Sequence, residues 1–132
     1  MSLDKVTYML NKLKNSSMAG KSTVEVFYTK QCEAIAESLK KAGFLTEVRT
    51  FKESGKPYKS LSLEIAKDSF GMKLTDVKRV SRPGRRIYRG VSEIQTFSKD
   101  AIMSVVSTSR GIMSGSEAKK KKLGGEVICI VR

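Results

Sequence analysis

Between Lys78 and Arg89 the chain carries Lys78, Arg79, Arg82, Arg85, Arg86 and Arg89, one aromatic residue, Tyr88, and no acid. Six cations without counter-charges repel one another, and a guanidinium offers the planar two-pronged donor that suits phosphate. An exposed tyrosine beside them can stack on an unpaired base or contact a sugar. The pattern points to RNA contact; the plain alternative is a solvated basic hairpin with Tyr88 turned inward. A second segment, Ser107, Thr108, Ser109, Arg110 and Gly111, places three hydroxyls and a guanidinium between apolar strands. Hydroxyls both donate and accept, so they can read a base edge or a 2′-hydroxyl, and Gly lets a backbone approach closely. By composition alone, a polar turn is the simpler reading. The run Lys119, Lys120, Lys121 and Lys122 falls where a short helix should end, and cations there complement the helix dipole as readily as they meet phosphate. Gly124, Gly125 and Glu126 lack the spacing and the strand-loop-helix context of a nucleotide-binding loop, and read as helix termination.

Other chemistry finds little to stand on. The 132 residues contain no histidine, which removes the usual general base, the usual metal ligand and the triad logic together. Cys32 lies on an apolar helical stripe and Cys129 at the centre of the run Val127 to Val131. Both read as small buried hydrophobes rather than nucleophiles or metal ligands. No carboxylate pair stands out, so no catalytic residue, metal or cofactor is expected. The net charge is +13, from 26 Lys and Arg against 13 Asp and Glu. Such a surplus costs self-repulsion in a compact state and favours a polyanionic partner. It is uneven: residues 1–66 carry 11 basic and 7 acidic side chains, residues 67–132 carry 15 and 6. The N-terminus has no signal-peptide pattern and no apolar run reaches membrane-spanning length, so a reducing, intracellular location is the default.

The elements that must position these residues can be read from periodicity. Val6, Met9, Leu10 and Leu13 fall at i, i+3, i+4 and i+7, an amphipathic helix with Asp4 as cap and Gly20 beyond its end. Its other face carries Lys5, Lys12 and Lys14. Val24–Tyr28 reads as a strand. Thr29 caps a second helix on Cys32, Ile35, Ala36 and Leu39, closed by Gly43. Residues 44–51 and 58–66 read as strands around Ser54, Gly55, Lys56 and Pro57. Residues 67–73 lack periodicity and contain Gly71, the best boundary. Beyond it, residues 77–80 and 86–88 read as strands about a type II turn at Pro83 and Gly84. Residues 102–107 form another strand, Ser114 with Glu117 has capping-box spacing for a short helix, and residues 126–131 form a buried final strand. The fold class is therefore α+β with two small subdomains: residues 1–66 as α-β-α-β-β, residues 67–132 mostly β with a short helix.

Three segments resemble one family. Arg79-Val-Ser-Arg-Pro-Gly-Arg-Arg-Ile-Tyr88 is similar to its R-V-S-K-P-G-x-R-x-Y, and Ser107-Thr-Ser-Arg-Gly-Ile-Met113 to its S-T-S-K-G-x-M. Glu117-Ala118, followed by Gly124-Gly-Glu-Val-Ile-Cys129, is similar to E-A…G-G-E-x-x-C. Together, in this order and spacing, they are the pattern of the eighth protein of the small ribosomal subunit, and the likeness extends to Asp4–Asn15 and to Lys30 with the helix after it. The resemblance implies a two-domain α+β protein that binds the central domain of small-subunit ribosomal RNA early in assembly. It would be a monomer within the ribosome, beside neighbouring small-subunit proteins, in the cytoplasm or an organelle, without cofactor or membrane contact. It further implies that Ser107, Thr108 and Ser109, with Arg110, contact distorted bases and backbone. Tyr88 would touch RNA beside them, with Arg82, Pro83, Gly84 and Arg86 of its hairpin, and Gly124, Gly125 and Glu126 would complete that surface. Lys14, Asn15 and Lys30 would touch a second RNA segment. Departures are Asp100-Ala-Ile102 where the family has a Gly-rich turn, Ser114-Gly115 for Thr-Asp, Arg132 for an aromatic residue and Tyr8 for an acid; they suggest a divergent bacterial or organellar lineage.

Two other classes remain open from the residues. A module for anionic membranes or acidic proteins would leave the Val6, Met9, Leu10 and Leu13 stripe exposed. A thiol or RNA-modifying enzyme would need Cys32 or Cys129 open and activated.

Overall fold

The structure, a computed structural model, describes residues 5–69, 71, 72, 74, 76–82, 84–90 and 103–131. Asp4, Pro83, Asp100-Ala-Ile102 and Arg132 lie outside the described residues. The chain divides into two compact units, Met1–Thr75 and Asp76–Arg132.

In the first unit, helix α1 (Lys5–Met18) buries Val6, Met9, Leu10 and Leu13, the stripe its spacing predicts. Burial of each such side chain is worth on the order of 2 kcal/mol. A stripe held in the core cannot also enter lipid, so the membrane module loses its apolar face. Gly20 follows with φ +76. Strand β1 (Thr23–Phe27) alternates, burying Val24 and Val26. Helix α2 (Lys30–Lys41) starts at Thr29, whose hydroxyl accepts from the Cys32 N–H at 3.0 Å. It ends in a Schellman motif: Gly43 N–H donates to Lys40 O, Phe44 N–H donates to Leu39 O, and φ of Gly43 is +90. Strands β2 (Leu45–Phe51) and β3 (Ser60–Ile65) complete an antiparallel sheet of order β1-β3-β2. Its register puts Val24 beside Leu63 and Leu63 beside Val48. Residues 67–73 are not featureless. Lys67–Asp68 (β4) pairs with Gly71–Met72 (β5) as a two-stranded ribbon. Leu74 is fully buried and its carbonyl accepts from the Ser17 hydroxyl, which ties this stretch to the first unit.

The second unit is a sheet of order β6-β10-β8-β9, with β7 sharing the β10 edge used by β6. Its strands are β6 (Val77–Arg79), β7 (Tyr88–Arg89), β8 (Met103–Thr108), β9 (Gly111–Ser114) and β10 (Gly125–Val131). The short helix α3 (Gly115–Lys120) is capped as its spacing predicts, Ser114 Oγ accepting from the Glu117 N–H at 3.2 Å. Ala118 packs with Val106, Met113 and Leu123 on one face of the sheet. A bulge in β10 between Val127 and Cys129 shifts its phase by one residue. That shift is why the run from Val127 to Cys129 is buried without alternation.

One expectation fails here. Gly124 and Gly125 do not end α3. The cap is Lys121, followed by Lys122 with φ +57; Lys122 N–H donates to Lys119 O and Leu123 N–H to Ala118 O. This is again a Schellman closure, with lysine in the left-handed position where glycine is usual.

Candidate nucleic-acid interface

The basic hairpin is held by main chain and by one buried hydroxyl. Arg82 and Arg85 exchange N–H to O bonds of 3.0 and 2.9 Å across the two residues between them. Ser81, 1% exposed, accepts from Ile87 N–H at 2.9 Å and donates back to Ile87 O. Ile87 O also accepts from Val127 N–H. These bonds explain why the strand expected at residues 86–88 pairs only at Tyr88–Arg89. They leave Arg82, Gly84, Arg85 and Arg86 exposed. Tyr88 is 62% exposed, which removes the reading in which it turns inward.

The glycine pair explains how the three sequence segments meet. A Cβ on Gly124 would lie 2.7 Å from Arg89 O and 3.0 Å from Gly90 Cα, and one on Gly125 would lie 2.1 Å from Ser107 O. Only glycine lets the start of β10 fit between β7 and β8. Once it is there, Glu126 pairs with Tyr88 on one side and with Ser107 on the other. Directly paired residues project to the same face, so Tyr88, Glu126 and Ser107 form one transverse row about 10 Å across, two inter-strand spacings. Glu126 Oε2 lies 3.1 Å from Arg86 Nη1, with the carboxylate side chain 13% exposed and the guanidinium side chain 51%. The acid of this row thus serves to orient one arginine.

Beyond Ser107, β8 turns into β9 through Ser109 and Arg110, both exposed. Thr108 closes the turn: its hydroxyl accepts from Arg110 N–H at 3.1 Å and donates to Gly111 O at 2.8 Å. Its hydroxyl therefore shapes the loop, while Ser109 and Arg110 stand at the tip. Gly111, at φ +112, supplies the left-handed backbone the turn requires.

In the first unit, Lys14 and Asn15 lie in the last turns of α1, Asn15 exposed and Lys14 half-buried; Lys30 is exposed at the first position of α2. Sequence reasoning missed a cluster here. Tyr8, Phe27 and Tyr58 are all exposed, with ring centroids 5.9 and 6.0 Å apart along the set. Lys5 stands over Phe27, Lys12 over Tyr8 and Lys56 over Tyr58, at 5.5–5.7 Å. These residues come from a helix, an outward strand position and a loop, so no local period announces them. Ser81 was missed likewise.

Cys32 and Cys129 are buried and in no disulfide. Burial pushes the Cys129 thiol up to about 12, against a smaller opposing pull from Arg79. A thiol held neutral and inaccessible is no nucleophile at neutral pH. Among the described residues no cluster of candidate metal ligands occurs.

The model of the family described as "Ribosomal protein S8" matches residues 4–132. The chain is 34% identical over 131 residues to "Small ribosomal subunit protein uS8c" of Thalassiosira pseudonana, covering 99% of each. It is 35% identical to the protein of that name from Acorus calamus, again covering 99% of each. It is 37% identical over 130 residues to "Small ribosomal subunit protein uS8" of Roseiflexus castenholzii, covering 97% of this chain and 96% of that one. Full-length coverage at this identity, with the family's three motifs brought together on one sheet, places the chain in the ribosomal protein S8 family.

Proposed function

We propose that the chain is a structural, non-enzymatic constituent of the small ribosomal subunit, on cytoplasmic or organellar ribosomes. Its task there is to bind the central domain of small-subunit ribosomal RNA and nucleate assembly around it. The observation that carries this reading is the row Tyr88–Glu126–Ser107, built from three separated segments and flanked by the Ser109–Arg110 tip. The exposed Tyr88 ring offers a stacking face for an unpaired base or a sugar edge. Ser107 and Ser109 offer hydroxyls to base edges or 2′-hydroxyls, and Arg86 and Arg110 meet phosphate. Glu126 fixes the direction of Arg86 and discourages phosphate at the centre of the row. Specificity then comes from irregular RNA that presents a base where the row has no cation. Lys14, Asn15 and Lys30 provide a separate contact from the first unit, and neighbouring ribosomal proteins are the remaining partners.

The test is a filter-binding titration of a central-domain RNA fragment against a scrambled duplex of equal length, each at two salt concentrations. Preference for the fragment that survives the higher salt supports the proposal. Equal binding that vanishes with salt leaves only the charge at work and sinks it.

A further inference from the structure

The face of the second sheet opposite the row holds a cleft of about 440 Å³ lined by Lys78, Arg79, Arg82, Arg85 and Arg89, with Ile130 among its apolar residues. The register fixes the side on which it opens. Ile130 pairs with Lys78, and Arg89 pairs with Gly125. Each is one residue out of phase with the Tyr88–Glu126 pair, so each projects to the other face. Helix α3 covers the β8–β9 half of that same face, through Ala118 against Val106 and Met113. Among the described residues, the β6–β7 half is lined by the cations of the cleft.

We propose that this cleft seats the phosphodiester backbone of an RNA strand other than the one on the Tyr88–Glu126–Ser107 row. The inference rests on the chain being a ribosomal RNA binder and adds a second, reverse-side contact to it.

Three features favour this occupant. Among the described residues no carboxylate lines the cleft, and Glu126 is engaged with Arg86 on the other face. Arg79 pairs with Cys129 and so projects to the row's face, leaving Lys78, Arg82, Arg85 and Arg89 as the cations gathered at this cavity, more than an edge strand needs to discourage mispairing. Three of these four are arginines, whose fork matches phosphate oxygens. Helix α3, with Lys119 and Lys120 in its last turn, packs on this same face over β8 and β9, so the basic charge of the face is not confined to the cleft. Charge spread over a face suits a strand rather than a lone phosphate ion. A helix lying flat against the row has the whole sheet between it and the cleft, so the strand must be a different one.

The experiment uses Lys78→Cys and Ser109→Cys proteins, each coupled to a benzophenone maleimide; both native thiols are buried and stay unlabelled. Each is assembled into small subunits, irradiated, and its attachment sites are mapped. The expected result is RNA labelling by both probes, at two separate segments. Attachment of the residue-78 probe to a neighbouring protein, to the segment labelled from residue 109, or to no RNA overturns the inference. If only the residue-78 probe labels RNA, the row reading falls and the cleft stands. A binding assay guards against failed incorporation. The Lys78→Gln, Arg85→Gln double variant should bind whole small-subunit RNA about fivefold more weakly, with a salt slope lower by about 1.5. Unchanged affinity and slope overturn the proposal independently.

Discussion

Gly125→Ala is the sharpest single perturbation of the site, because it adds one methyl group at a place where only backbone can yield. The added Cβ would sit 2.1 Å from Ser107 O, 3.0 Å from Ser107 C and 3.2 Å from Thr108 Cα. A relaxed carbon-to-carbonyl-oxygen contact is about 3.3–3.6 Å, so β10 and β8 must part by roughly 1.2 Å at this point. Ladder bonds of about 2.9 Å cannot follow such a shift and stay within bonding distance. Two lost ladder bonds cost about 1 kcal/mol each, and overpacking adds about 1–3 kcal/mol. The loss of unfolded-state freedom on replacing glycine works the other way by less than about 1 kcal/mol. The net is a destabilisation of about 3 kcal/mol, read as a fall in Tm of roughly 10 °C for a chain of this size. Thermal melts by circular dichroism measure it, with Gly84→Ala as control, since a Cβ there meets nothing within 4 Å. The same variant should lose affinity for the central-domain RNA fragment at temperatures where it is still folded, because Ser107 no longer aligns with Glu126. A Gly125→Ala melt within a degree or two of the parent refutes the close-approach argument and returns the glycine to a helix-ending role.

Lys122→Gly tests the other half of that reassignment. The left-handed conformation at φ +57 costs a lysine about 1–2 kcal/mol, offset in part by the extra freedom glycine has when unfolded. A rise in Tm of a few degrees is expected, and a fall would show that the helix does not close there. Glu126→Gln removes the only acid of the row. Binding to the scrambled duplex should strengthen and its salt slope steepen by about one unit as Arg86 turns to phosphate, while preference for the cognate fragment narrows; unchanged non-specific binding would mean that Arg86 is not restrained by this carboxylate. Ser109→Ala should weaken the cognate fragment about three- to tenfold, one hydrogen bond's worth, and spare the duplex. Equal loss on both probes would count against readout by the tip. Cys129 carries a pH prediction. Its folded thiol keeps its proton up to about 12, whereas the unfolded thiol loses it near 9, so stability tied to this group is intact below about pH 9 and declines as pH rises toward 12. Denaturant midpoints for the parent and Cys129→Ala should therefore converge over that range, and a constant gap would refute it.

How much of this was legible beforehand depends on how local each cause is. Thr29, Gly43 and Ser114 act within four residues of themselves, so their caps could be read from spacing and appear as read. The stripe on α1 repeats every 3.6 residues and announces its buried face in the same way. The short β4–β5 ribbon escaped because pairs of two residues have no period to detect. The glycines were misassigned for a different reason. Two glycines after a lysine run match a helix stop, and nothing local says that Arg89 and Ser107 will press against them from strands 35 and 18 residues earlier in the chain. The family resemblance marked these positions as part of a contact surface; the steric reason needed coordinates.

The bulge in β10 links the core to the site. Register in a sheet is set wherever one face is buried, and a slip of one residue turns every side chain over. Val127 shares the α3-covered face with Val106 and Met113, whereas Cys129 and Val131 lie on the other face, with Val105 and Met103. A strictly alternating strand would put Val127 on the side of Cys129 and Val131, so one extra residue must intervene for the run to serve both faces. The same phase shift gives Glu126 the face of Cys129 rather than that of Ile130, and with it Tyr88 and Ser107. All of Val105, Val106, Val127, Cys129 and Val131 are buried, so neither half of β10 can slide without exposing several apolar side chains, at about 2 kcal/mol each. The aim of the polar row is thus set by apolar residues on either side of the bulge. A protein that must meet a folded RNA with preset geometry gains from that arrangement, because the alignment of Tyr88, Glu126 and Ser107 is fixed before any RNA arrives.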